Sequence, residues 1–174
     1  LQPIFMGDFF QVYGVSQWGL DKKGLGVLFT LIPVLGAFAN IVGGPLIARF
    51  GLIPFTLVAT VSNLLYWVGC LFSFKMAIVG ACVGALGAAR TLAASTMIAS
   101  AGAKAGMPQG ELSGDRANLT AILKVIGPLL YGQLFVAGKA IGAPALPFAF
   151  NIALTTAALF LVPYALREPD AAGN

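Results

Sequence analysis

Ile53-Pro-Phe-Thr-Leu-Val-Ala-Thr-Val-Ser-Asn-Leu-Leu-Tyr-Trp-Val-Gly-Cys-Leu-Phe-Ser-Phe74 contains no charged residue. A helix that crosses hydrocarbon needs roughly 20 predominantly apolar residues, and this stretch supplies them. Similar runs lie on either side, at 25–47, 76–101, 117–137 and 146–166. Of the 174 residues, 59% are hydrophobic and 9% charged, and none is histidine. The mean hydropathy is +0.91. A soluble domain carries about 25% charged residues. This balance excludes a water-soluble enzyme and a disordered tail, and two cysteines are too few for a disulfide-stapled domain. The predicted fold class is all-α: one polytopic helical bundle in a membrane, a single domain over 1–174.

Residues 1–13 are apolar but too short to span alone, and they begin with Leu1. They read as the outer part of a longer, truncated first helix, so the chain is expected to be a fragment. No signal-peptide pattern is present. Gly14 to Gly24 reads as a polar loop with Trp18 as an interface aromatic. Ala48 to Leu52 is short enough to force an antiparallel hairpin, and Lys75 marks a second tight turn. Gly102 to Arg116 is the longest expected loop, Gly138 to Ala145 is a short one, and a polar tail follows from Arg167. Alternate connections place Arg49, Lys104, Arg116 and Arg167 on one side, and Lys22, Lys23, Lys75 and Lys139 on the other, so charge counting assigns no orientation. The net charge of +4 is dispersed at membrane flanks and forms no stripe for nucleic acid.

Charges inside the spans are the candidate functional groups. Arg90 falls near the middle of 76–101, where a charge costs roughly 2.5–3.5 kcal/mol on insertion scales. A cavity-facing or gating role and a structural ion pair both answer that cost. In 117–137, Leu119, Ile122, Ile126, Leu129 and Leu130 share one side of a helix turning 100° per residue. Thr120, Lys124 and Tyr131 share the other, which suggests an inner face; Lys124 could alternatively snorkel to the nearer interface. Asp8 has three open roles: partner to Arg90 or Lys124, titratable coupling carboxylate, or near-interfacial group. Asn40, Asn63, Gln133 and Asn151 are intramembrane amides, most of which act as interhelical glue. Gly36-Asn40-Gly44 and Gly80-Gly84-Ala88 recur every four residues as helix-packing stripes. The uncharged spans 53–74 and 146–166 read as peripheral and lipid-facing.

Chemistry for an enzyme is missing. Without histidine, and with Cys70 and Cys82 in apolar spans, no metal or haem site is expected. No phosphate-binding Gly-Lys-Ser/Thr loop occurs. No cofactor is expected.

Gly44-Pro-Leu-Ile-Ala-Arg-Phe-Gly51 resembles the glycine-x-leucine-x-x-arginine-x-glycine loop of major facilitator superfamily transporters, matching at Gly44, Leu46, Arg49 and Gly51. It departs at Ala48, where the fuller motif has aspartate, and at Leu52 and Ile53, where basic residues often follow. Gln109-Gly-Glu-Leu-Ser-Gly114, followed by Ile126-Gly-Pro-Leu-Leu-Tyr-Gly132, resembles the helix ten–eleven region of tetracycline-resistance-type drug:proton antiporters and their eukaryotic relatives. The matching positions are Gln109, Gly110, Gly114, Gly127 and Pro128. The resemblance implies the C-terminal six-helix half of that fold. On it, 1–13 ends helix seven, and 25–47, 53–74, 76–101, 117–137 and 146–166 are helices eight to twelve, followed by the tail 167–174. It implies tight packing at Gly110 and Gly114, and a loosened helix at Gly127-Pro128.

The expected function is alternating-access transport of a small solute, by resemblance proton-coupled, in a multi-pass integral membrane protein. The implied partners are the solute, protons, the bilayer and an absent N-terminal six-helix half. Arg90, Lys124, Asp8, Tyr131 and Asn40 are the candidate cavity or gating residues. Gly44, Arg49, Gly51, Gln109, Gly110, Gly114, Gly127 and Pro128 are the candidate conformational ones. The rival expectation is a receptor or scaffold of the same fold that does not transport.

Overall fold

Gly51 adopts φ +87°, a left-handed conformation that glycine takes without strain. Its N–H donates to the Ile47 carbonyl at 2.9 Å, which closes one helix and lets the next start a residue later. Those helices are α2, Lys22–Phe50, and α3, Leu52–Phe72. The expected hairpin at Ala48–Leu52 is therefore found. The computed structural model describes the backbone of residues 2–165 and the side chains of residues 9–161. The remaining helices are α1 (Gln2–Ser16), α4 (Phe74–Val83), α5 (Arg90–Lys104), α6 (Gln109–Ala140) and α7 (Leu146–Ala165), with a 3-10 turn at Ala85–Ala89. Asp21 starts α2 by accepting the Gly24 N–H at 2.8 Å, and Ser73 separates α3 from α4, with Lys75 in the first turn of α4.

The protein is all-helical. Among the described residues, α2, α3 and α6 are long and apolar enough to cross a membrane. The pair α4 and α5, bent by 67° across the 3-10 turn, makes a fourth as one broken span. Length and composition are thus those of a multi-pass membrane protein, but the described residues do not form six clear spans. The apolar run in α7, Leu146–Leu161, is shorter than the other spans. The tail 167–174 lies outside the described residues.

Three expectations require correction. The segment 76–101 is not one helix. It breaks at Gly84 because Gly80, Gly84 and Gly87 lie against the backbone of α3; a Cβ on Gly87 would sit 2.7 Å from Asn63 Cα. The stretch 102–116 is not a long loop. Gly106, at φ +69°, turns the chain, and α6 starts at Gln109 directly after Pro108, with Glu111 in its favourable first turn. The charge-free spans are not peripheral. α3 packs on α4, on α7 and on the 3-10 turn, and half of its most apolar window is buried against 11% in α2 and α6. Absence of charge does not distinguish lipid from protein as neighbour. The better signal was the row of small and polar residues Thr56, Thr60, Asn63, Trp67 and Cys70, all buried along one face. Thr56 and Thr60 satisfy their hydroxyls by donating to carbonyls one turn back, each at 2.7 Å.

Packing at one end is aromatic. Phe148 of α7 is fully buried, with ring centroids 4.6 Å from Tyr13, 5.5 Å from Phe10, 6.0 Å from Trp18 and 6.4 Å from Trp67. Phe9, Tyr131 and Phe135 join the same cluster, tying α1 to α6. Trp18 is half-buried and stacks on Phe148. The other end of the bundle relies on small residues: Ala39 and Gly43 of α2 meet Phe55 of α3 and Ala89. The α2 packing row is therefore Gly36, Ala39 and Gly43, not Gly36, Asn40 and Gly44; Asn40 and Gly44 are exposed.

Two contrasts test this packing by thermal unfolding in detergent. Phe148→Ala should cost about 3–5 kcal/mol by opening a cavity among the rings, while Phe160→Ala, at a 69% exposed position, should leave the midpoint nearly unchanged. Gly43→Val, whose Cβ would sit 3.2 Å from that of Ala89, should lose about 1–3 kcal/mol more than Gly44→Val, which meets nothing within 4 Å.

Candidate functional site

Glycine and alanine create the site by omission. Gly36 of α2, together with Ala81, Gly84, Ala85, Gly87 and Ala88 around the break in the fourth span, leaves a cavity of about 360 Å³. Such a volume falls in the range of roughly 300–1,000 Å³ usual for small-molecule sites. Leu28, Phe29, Ile32 and Pro33 of α2 form one wall; Asn63, Tyr66 and Trp67 of α3 form another, and Phe10 of α1 reaches in from the aromatic cluster. The lining is overwhelmingly apolar, and among the described residues its only charged member is Arg90.

The break explains both the cavity and the position of the arginine. Gly84 N–H donates to the Gly80 carbonyl at 2.7 Å, and Gly87 N–H to the Gly84 carbonyl at 2.8 Å, which tightens the chain into a 3-10 turn. That turn is wedged between α2 and α3, with Ala88 against Gly36 and Ala89 against Gly43. Arg90 is the first residue of α5, which has no side-chain cap, and it is half-buried at the cavity wall. Irregular backbone at membrane depth persists where it is buried in protein or lines a cavity. This break does both.

Two donors remain unspent beside the cavity. Asn63 Nδ2 and Trp67 Nε1 are buried and have no hydrogen-bond partner among the described residues. Asn63 is 8% exposed and Trp67 2%. A buried donor left unsatisfied costs roughly 1–3 kcal/mol, so these two are expensive as structural elements. Away from the cavity, Asn151 Oδ1 accepts a hydrogen bond from the Tyr131 hydroxyl.

The candidates read from sequence fall in different places. Arg90 lines the cavity. Lys124 is exposed on α6 and does not line it. Leu119, Ile122, Ile126, Leu129 and Leu130 of α6 are all exposed, and so is Lys124 on the other side, so exposure does not separate the two faces there. Tyr131 does turn inward, into the aromatic cluster rather than the cavity. Asn40 and Gln133 are exposed, and the Asp8 side chain lies outside the described residues. Arg49 ends α2 and stands over the Phe50 ring at 5.6 Å. Gln109, Gly110 and Gly114 occupy the first two turns of α6, and nothing comes within 4 Å of a Cβ at either glycine. The tight contact expected there is made instead by Gly102 against Leu112, 2.6 Å from a would-be Cβ. α6 runs unbroken through Pro128, with Gly127 buried. Sequence reading missed Tyr66, Trp67 and Phe10. The available signal was Asn63 followed one helical turn later by Tyr66-Trp67, an amide and two ring donors on one face of an uncharged span.

Arg116 adds a link outside the cavity, donating to Ser95 Oγ at 2.8 Å and joining the start of α6 to α5.

If Asn63 serves a ligand rather than the fold, Asn63→Leu should leave the unfolding midpoint unchanged or raise it. Asn151→Leu should lower stability by about 1–3 kcal/mol, because it leaves the Tyr131 hydroxyl buried without its acceptor. Paired melts in detergent check both.

No family model, curated protein or solved structure matches this chain.

Proposed function

We propose that the chain is the C-terminal half of a major-facilitator-type secondary transporter that moves a small solute by alternating access with proton coupling. The supporting observation is the cavity at the kink of the α4–α5 span, with Arg90 at its wall. Secondary transporters place their sites near the bilayer midplane, at discontinuous helices, where backbone and helix ends can meet a solute. Placement of a guanidinium there, at a cost of roughly 2.5–3.5 kcal/mol, makes sense for a residue that works in a polar hollow. The mostly exposed face of α6 that carries Lys124 is the surface against which a second six-helix half would seat. Rocking of the two halves would then open the hollow alternately to each side.

Inverted vesicles holding the full-length protein, with an imposed proton gradient, test this reading. A panel of fluorescent acidic, neutral and cationic solutes is offered. Gradient-driven accumulation of at least one is expected, falling about 10-fold or more in Arg90→Ala through loss of a charged hydrogen bond worth about 1.5–3 kcal/mol. Absence of gradient-driven flux for every solute would favour the receptor or scaffold reading instead.

A further inference from the structure

One face of α6 is packed in its second half and bare in its first. Gly127, Tyr131, Phe135 and Gly138 are buried, and Tyr131 and Phe135 meet Phe9 of α1. Three or four residues at a time toward the helix start, the same face continues through Lys124, Thr120, Ala117 and Ser113. There Lys124, Ala117 and Ser113 are exposed and Thr120 is half-buried. A Cβ on Gly114, beside them, would meet nothing within 4 Å. The opposite side, with Leu119, Ile122, Ile126 and Leu129, is branched hydrocarbon of the kind acyl chains cover.

Lys124 makes the bare half costly. The flanking charges on α6 are Arg116 and Lys139, about 34 Å apart at the rise of a straight helix, which matches a hydrocarbon core of about 30 Å. Lys124 stands about 12 Å in from Arg116, farther than a four-carbon stem reaches toward the headgroups. A cation at such depth is normally paired or faces a polar hollow. Among the described residues Lys124 has no hydrogen-bond or ion-pair partner, and it does not line the cavity. An amide or carbonyl would accept one N–H and leave the net charge in hydrocarbon, whereas a carboxylate removes it.

We propose that this face docks a membrane-spanning helix from outside residues 1–174, with an aspartate or glutamate set opposite Lys124. The interface continues the stripe already packed at Tyr131 and Phe135. Ser113, Ala117 and Thr120 let the two backbones approach closely along the rest of it. This deepens the seating of a second six-helix half on α6 and rests on that reading for the source of the helix.

The full-length protein in its membrane is treated with dicyclohexylcarbodiimide, which activates a carboxylate so that a touching amine displaces the urea and closes an amide. Peptide mapping by mass spectrometry should find Lys124 joined to an aspartate or glutamate beyond residues 1–174, and Lys124→Arg should abolish the join. Lys124→Leu should lower the unfolding midpoint by about 5 °C or more, because it strands the partner's carboxylate. Replacing that carboxylate with leucine as well should recover most of the loss. A Lys124 amide to Asp8 or to another carboxylate of this chain, no Lys124 amide at all, or an unchanged midpoint in Lys124→Leu overturns the proposal; the last is the behaviour of a lysine lying in lipid. Coupling without gradient-driven flux keeps the interface and sinks transport, and flux with Lys124 uncoupled does the reverse.

Discussion

The closeness of the Gly84–Gly87 turn to the backbone of α3 governs the rest of the molecule. With no Cβ at Gly84 or Gly87, the chain drops onto Asn63 closely enough that a single methyl would collide with it. In a bilayer, helix association gains little from burying apolar surface, so close backbone approach carries much of the packing. The approach also breaks the helix, since a straight rod cannot follow α3 and still reach Gly36 and Gly43 of α2. Kink, cavity and the placement of Arg90 at the head of α5 are three consequences of that one contact.

The opposite end is held by size rather than by its absence. Phe148 gathers rings from α1 and α3 around it, and Phe9 extends the cluster to α6. Offset and edge-on ring pairs add about 0.5–1.5 kcal/mol each beyond the area they bury. Phe10 and Trp67 belong both to this cluster and to the cavity wall. The cavity is therefore bounded on one side by the ring cluster and on the other by small residues.

The stability cost of the site fits its proposed use. Asn63 Nδ2 and Trp67 Nε1, buried without acceptors among the described residues, each cost roughly 1–3 kcal/mol. Binding sites commonly trade stability for function in this manner. Elsewhere in the fold a buried hydroxyl does find an acceptor, since Tyr131 donates to Asn151 Oδ1.

Hydropathy alone determined the helical character, the presence of helices long and apolar enough to cross a membrane, and the positions of α2 and α3, because a run of about 20 apolar residues has few other stable destinations. The turn at Ala48–Leu52 was also readable, since the effect of Gly51 is local, whereas the second turn, expected at Lys75, falls at Ser73. The face of each helix was harder to read. Along α6 the reading held for Tyr131, which is buried, and failed for Lys124, which is exposed; along α2 it was off by one residue, since glycine at positions 43 and 44 fits either stripe. Tertiary structure alone decided that α3 is central, that the fourth span breaks, and that Asn63, Trp67 and Arg90 share one hollow. Those facts depend on which backbones come within a methyl's breadth of each other, a property of helix pairs that no single helix's pattern contains.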